Sequence, residues 1–252
     1  MIRLSLPILS LPILSRLARS LLTRSLLALS LLTLPLVPQA LAAPAVKPFE
    51  ARYHLSLEGW PNADLTHRLE PDEEGFRATL HASVKIATGY EFARFRLDER
   101  GEAAPWHFYS RYRLFGFGDE YRLERERLEA LPDRQSALFN LSLRAFDAPA
   151  CRGHQAAPCQ LDYQDHRGRE RTLVWRVIDD PTMPVPEGRF QTRHVEARLE
   201  DRPKRRLHFY FSPDTPGLLV QLDYFQDQTL AGRLQLTDLH PEGSTDDQRP
   251  AH

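Results

Sequence analysis

The sequence predicts an all-β domain, a curved antiparallel meander or incomplete β-barrel carrying one amphipathic helix. Three observations lead there. Apolar and polar residues alternate with period two through most of the chain, the signature of strands with one face turned to a core. Short breaker-rich turns separate these runs, and short connections require antiparallel neighbours. One segment alone, between Asp133 and Phe146, switches to helical spacing.

A leader precedes the domain. Arg16, Arg19 and Arg24 are followed by an uncharged apolar run, Ser25 to Val37, and then by Gln39-Ala-Leu-Ala42, a small-x-small pattern. Positive, apolar and small segments in that order are what a secretion channel and its peptidase read. Residues 1–42 are therefore expected to be a signal peptide, 43–240 a single periplasmic domain and 241–252 a polar disordered tail. The apolar run is shorter than the ~20 residues of a membrane span and Pro35 interrupts it, so no span is expected after cleavage. Of the 33 Lys and Arg residues, Arg3 and the three named above lie in the leader, leaving 29 against 34 Asp and Glu, a net charge near −5. A mildly acidic domain lacks the basic footprint of a nucleic-acid binder.

The elements follow in order. Phe49, Ala51, Tyr53, Leu55 and Leu57 form one apolar face of a first strand, and Gly59-Trp-Pro-Asn62 turns the chain into a second, Asp64 to Glu70. His67 stands out there, in phase with Leu65 and Leu69, and reads as a hydrogen-bonded core histidine. Pro71 to Gly75 is a turn. Phe76 to Ile86 alternates again. Tyr90 to Asp98 places Tyr90, Phe92 and, after a phase shift, Phe95 and Leu97 inward. Trp106, Phe108, Ser110, Tyr112 and Leu114 share a face of the next strand, opposite His107, Tyr109, Arg111 and Arg113. Phe115-Gly-Phe-Gly118 is a glycine turn into a charged strand, Glu120 to Leu128. In the helical segment Ala137, Leu138, Leu141 and Ala145 share a face, and Asp133, after Pro132, is placed as the N-cap. The second half reads as six strands: 160–164, 171–178, 189–200, 206–211, 218–226 and 232–239.

Cys151 and Cys159 are the two cysteines. In an oxidising compartment they are expected to pair and close a surface loop. A redox role would need Cys-x-x-Cys, and a metal site with His154 and His166 has no recognised spacing. His54, His81, His194 and His208 fall on polar strand faces, so no metal site and no cofactor are expected. No nucleophile motif occurs, and the carboxylate pairs Asp119–Glu120 and Asp179–Asp180 sit at turns, where such residues are ordinarily found. The chain is therefore expected not to be an enzyme.

Aromatic residues crowd between Tyr90 and Tyr121. They read either as a packed core or as the wall of an apolar cavity in a half-barrel. The candidate ligand-binding set is Phe92, Phe95, Trp106, Phe108 and Tyr112, with Arg111 and Arg113 available to an anionic head group. The function expected is binding or carrying of a lipid or hydrophobic molecule in the periplasm. The alternatives are an envelope-assembly scaffold that binds a protein partner and, with less support, a hydrolase that would rest on the carboxylate pairs.

Several segments resemble a known family. Pro48-Phe-Glu-Ala-Arg-Tyr53 is similar to the first strand of the bacterial domain-of-unknown-function family 3108, and Asp133-Arg-Gln-Ser-Ala-Leu138 to its short helical block. Val185-Pro-Glu-Gly-Arg-Phe190 resembles its turn before a long strand, and Tyr210-Phe-Ser-Pro-Asp214 with Leu218-Leu-Val-Gln-Leu222 its closing hairpin. The family commonly has Trp at the place of Tyr210 or Phe211, and Leu-Pro-Val at the place of Leu218 to Val220. The resemblance implies an exported, β-rich periplasmic fold and brings no catalytic residues.

Overall fold

The structure is a computed structural model that describes residues 46–241, all within the unit Ala43–His252. The signal peptide read at 1–42 lies outside the described residues, as does the tail read at 241–252 except for Pro241, which ends the last strand. The chain runs β1 Phe49–Leu57, β2 Ala63–Asp72, β3 Gly75–Val84, β4 Ala87–Leu97, β5 Ala103–Leu114 and β6 Glu120–Glu124. A single helical turn, α1 Arg125–Leu128, and the helix α2 Arg134–Phe146 follow. Then come β7 Cys159–Gln164, β8 Glu170–Val177, β9 Thr182–Val185, β10 Gly188–Gln191, β11 Arg193–Leu199, β12 Arg205–Phe211, β13 Leu219–Gln226 and β14 Thr229–Pro241.

Twelve strands form one antiparallel sheet in the order β6-β5-β4-β3-β2-β1-β14-β13-β12-β11-β8-β7, and β9 and β10 form a separate hairpin. This is the all-β, curved meander expected from the alternation. The first six strands fan out from β1, the last run back from β14, and the β1–β14 ladder (Phe49 opposite Pro241 through Leu57 opposite Gly232) joins the halves.

The barrel does not close by a ladder. Its edges, β6 and β7, are linked by the segment before α2. Gln164 donates its backbone N–H to Pro132 O (2.8 Å) and its side-chain amide to Arg127 O (2.6 Å) and Leu131 O (2.9 Å). Satisfying an edge with loop carbonyls removes a template for strand addition. The β7–β8 turn presses on β6 through Gly168. Its φ is +71°, and a Cβ there would lie 2.9 Å from Leu123 Cδ2, so only glycine satisfies both conformation and space.

Helix α2 crosses the concave face. Asp133 is its N-cap as predicted, accepting from the N–H groups of Gln135 (2.8 Å) and Ser136 (3.1 Å). Phe139 packs on Phe95, ring centres 5.1 Å apart. The helix also buries Gln135, Ser136, Asn140 and Ser142, each with a polar partner. Asn140 accepts from Ala103 N–H (2.6 Å) and donates to Ala103 O (3.1 Å), acting as a strand edge for β5, while Ser142 Oγ accepts from Gly217 N–H (2.8 Å). Arg144 forks onto Glu102 with two 2.7 Å bonds. The main core runs from Phe49, Tyr53 and Phe95 through Phe139 and Leu141 to Trp175, Val195 and Phe211. Ala93, Phe108, Leu123 and Leu128 make a smaller one.

Three local expectations are corrected. The run 120–128 is not one strand, because Leu123 and Leu128 share the small core and an odd separation of five puts them on opposite faces of a strand; the helical turn brings both inward. The run 189–200 is two strands in different sheets, broken at Thr192, whose N–H and Oγ both donate to Pro181 O (3.0 and 2.8 Å). Strand β9 was hidden by Pro184, which a free two-stranded hairpin tolerates.

Cys151 and Cys159 form the expected disulfide, with Cα atoms 5.7 Å apart, tying the turn after α2 to the start of β7. Closing so short a loop stabilises by roughly 2–3 kcal/mol in the chain-entropy model. The Cys151→Ser/Cys159→Ser variant is expected to unfold about 5–10 °C below the parent, measured by thermal circular dichroism; an unchanged midpoint would contradict the loop argument.

Candidate functional site

A cavity of about 400 Å³ opens on the concave side of β3, β4 and β5, beneath the N-terminal turn of α2. Its origin is a gap in side-chain size. On β3 the inward residues Phe76 and Ala78 are followed by Leu80 and Ala82; on β4, Phe95, Ala93 and Glu91 are followed by Gly89. Toward this end the large core rings give way to Ala82 and Gly89, and nothing bulky fills the space. Leu80, Ala82, Gly89 and Tyr112 are among its lining residues; Arg134 and His166 roof it.

Polar groups sit at its deep end. Glu91 is 5% exposed and accepts from Ser110 Oγ (2.9 Å), Arg134 Nε (2.9 Å) and Gln135 Nε2 (3.2 Å); a second guanidinium nitrogen of Arg134 also contacts it. A carboxylate removed from water needs this many donors. The remaining Arg134 nitrogen lies 3.5 Å from His166 Nδ1. Burial, with the Arg134 charge adding to it, lowers the His166 pKa, so the ring is neutral near pH 7. His166 stands edge-on to Tyr112 and Tyr121 (6.3 and 5.4 Å). Both tyrosine hydroxyls donate to Asp119 (2.7 and 3.1 Å), and these bonds hold its carboxyl below the ordinary range. Arg167 donates to Tyr112 Oη at 3.3 Å.

The residues named from the sequence are distributed unevenly. Tyr112 and Arg111 line the cavity. Phe95 and Phe108 are fully buried, in the main and the small core respectively. Phe92 lies on the convex face, stacked on His107 (5.4 Å) beneath Arg77 (5.7 Å). Trp106 is the extra residue of a β-bulge that sets Arg94 opposite His107 and Phe95 opposite Pro105, and it packs under Arg96 (5.4 Å) out of line with Phe108. Arg113 is exposed at the rim. The inward phase of β4 is Gly89, Glu91, Ala93 and Phe95 without the assumed shift, so Phe92 faces out, while Tyr90, beside its ladder partner Arg111, still lines the cavity. Glu91, Arg134 and Gln135 escaped sequence reading; a charge in phase with Ala93 and Phe95 was the signal available for Glu91.

A second polar cluster lies on the convex face of the other half. His194 Nδ1 bonds Asp179 (2.8 Å) and its Nε2 faces His208 Nδ1 (2.8 Å), while Tyr210 stacks on His194 (4.5 Å). One of these two facing nitrogens must donate to the other, which ties the tautomers of the two rings together. Burial lowers the His208 pKa, and the charge that His194 would carry lowers it further. Asp180 pairs with Arg152 and Arg193; burial pushes its pKa up, but the two guanidinium groups outweigh it and the net shift is down. Among the described residues no group of His, Cys, Asp and Glu is arranged to hold a metal ion, and no helix is long and apolar enough to cross a membrane.

No family model matches the sequence, and no curated protein matches it. Two solved structures are similar in part. One is a Bacteroides fragilis protein described as exported with a YmcC-like fold: 13% identity, TM-score 0.36, covering 78% of this chain and 97% of that one. The other is MucB: 12% identity, TM-score 0.34, covering 83% of this chain and 59% of that one, so this chain spans less than two thirds of the MucB chain.

Proposed function

We propose that this protein is an exported, periplasmic, non-enzymatic carrier that binds a lipid or other hydrophobic small molecule between the half-barrel and α2. The observation that carries this reading is the cavity. Its volume of about 400 Å³ lies in the range of small-molecule sites, and its walls are mainly apolar with a few convergent polar groups. An apolar chain would lie along Leu80, Ala82 and Gly89. A polar end would meet Ser110 and the Glu91–Arg134 pair, where Arg134 is largely neutralised by Glu91. That balance favours a neutral or weakly anionic head over a strongly charged one. The leader read from residues 1–42 supports the compartment, and the resemblance to family 3108 agrees with it.

The test is native mass spectrometry of the Ala43–His252 protein, purified from periplasm without detergent. The parent is expected to carry a mass matching a fatty acid, isoprenoid or lipid. Ala82→Phe, whose ring would occupy the empty space, is expected to be bare while its unfolding free energy, from urea titration, stays within about 1 kcal/mol of the parent. A bare parent that takes up no fluorescent fatty acid would sink the carrier reading.

A further inference from the structure

We propose that the β5–β6 hairpin tip is a docking element for an anionic lipid surface. Phe115 and Phe117 are 69% and 83% exposed, the most exposed large apolar side chains among the described residues. Phe115 also has φ +52°, a left-handed conformation that turns ordinarily give to glycine or asparagine. An exposed ring in that conformation is unfavourable in water twice over, through backbone and through hydration, and the core gains nothing from it.

The tip is rigid. Leu114 and Phe117 exchange backbone hydrogen bonds (2.7 and 3.0 Å), and Phe115 N–H donates to Ile86 O (2.8 Å), fastening the hairpin to the β3–β4 turn. The rings are therefore held outward rather than folded back. Lys85 precedes Ile86, which holds the tip, and Arg113 lies two residues before Phe115; both are exposed, and among the described residues neither has an ion pair or side-chain hydrogen bond. Of the acids nearby, Asp119 is held by Tyr112 and Tyr121, and Glu120 faces Arg111 in the ladder, so Lys85 and Arg113 are the cations left to an outside partner. Exposed aromatic rings with unpaired cations beside them match an interface where acyl chains begin below anionic head groups. A protein partner of acidic character would not need two rings projecting from a turn. The rest of the domain is net acidic, so these cations would orient the molecule tip first.

The tip also adjoins the cavity. Val84, Ala87 and Leu114 line up across three strands on the concave rim, continuing Ala82, Gly89 and Tyr112 outward. Three residues of strand, roughly 10 Å, separate Tyr112 from Phe115. A molecule leaving the bilayer at the tip would meet an unbroken apolar track.

The experiment is co-sedimentation of the Ala43–His252 protein with vesicles of phosphatidylethanolamine and phosphatidylglycerol, against vesicles of phosphatidylcholine. The parent is expected to bind the anionic vesicles. Phe115→Gly/Phe117→Ser, which replaces exposed rings and relieves the left-handed strain, is expected to weaken binding by about tenfold or more with an unchanged thermal midpoint. Lys85→Gln/Arg113→Gln is expected to weaken it about fivefold per cation on anionic vesicles and to leave phosphatidylcholine binding unchanged. A parent that stays in the supernatant with both vesicles, as a tip built for a protein partner would, overturns the proposal; so does a double phenylalanine variant that binds like the parent. The cavity-filled Ala82→Phe protein is expected to bind vesicles normally, so failure of the carrier reading and failure of this one are distinguishable.

Discussion

Acidifying from near neutral to pH 4 is expected to destabilise Asp133→Asn, and to stabilise His67→Phe, by about 3 kcal/mol each relative to the parent. Both groups are buried, and burial moves their pKa values in opposite directions. His67 lies between β1 and β3 with Phe49 edge-on at 5.2 Å, and loss of water lowers it from 6.5 to about 4. Between those values the unfolded chain takes up a proton that the folded one refuses, so stability is lost as pH falls through the window. Asp133 is raised from 3.8 to about 6 by burial, against the bonds from Ser136 and the backbone of Gln135 and Ser136. Between about 6 and 3.8 the folded chain binds the proton first, so stability is gained as pH falls. At 1.36 kcal/mol per unit each effect is about 3 kcal/mol, and in the parent they offset. Removing either exposes the other. Asparagine keeps the cap, and phenylalanine keeps the ring. The measurement is urea unfolding of the three proteins at several pH values. Because other carboxylates also titrate, the difference from the parent at each pH is the readout. Variant curves parallel to the parent's would refute the burial assignments.

The buried pair at the deep end of the cavity is expected to respond asymmetrically. Arg134→Met leaves the Glu91 carboxylate enclosed with only Ser110 and Gln135 as donors, and is expected to cost about 3 kcal/mol, the low end of the range for breaking a buried pair. The low end applies because the Arg134 side chain is 42% exposed and water can replace part of what is lost. Glu91→Gln leaves the charge on the partner that water can reach, and is expected to cost about 1 kcal/mol. Urea midpoints decide the order. Equal costs would mean that Glu91 is less enclosed than its 5% exposure indicates.

Much of the fold was legible because burial of one strand face leaves a period-two record. Phe49, Ala51 and Tyr53 on β1 were placed correctly by alternation alone, as was the burial of His67, although its ring meets Phe49 edge-on and not the hydrogen-bond partner expected of it. Asp133 was legible as a cap because capping depends on neighbours two and three residues away. The cysteine pair was legible from spacing and from the oxidising compartment that the leader led one to expect. Where reading failed, the cause was a departure from constant phase. The bulge at Trp106 turned one aromatic residue out of line, and the assumed shift after Phe92 does not exist, so two of the rings named for a ligand face away from the cavity.

What the sequence determined by itself is the class of the domain: an alternating, turn-punctuated chain with one capped helix can bury its apolar residues only as a curved antiparallel sheet with the helix laid against it. What the tertiary structure decided is where space remains and which charges meet. The cavity exists because small residues on β3 and β4 come into register, and Glu91 meets Arg134 across 43 residues of chain. Neither is a property of any local segment, since both depend on strand register and on the helix crossing angle, which packing of the whole domain sets.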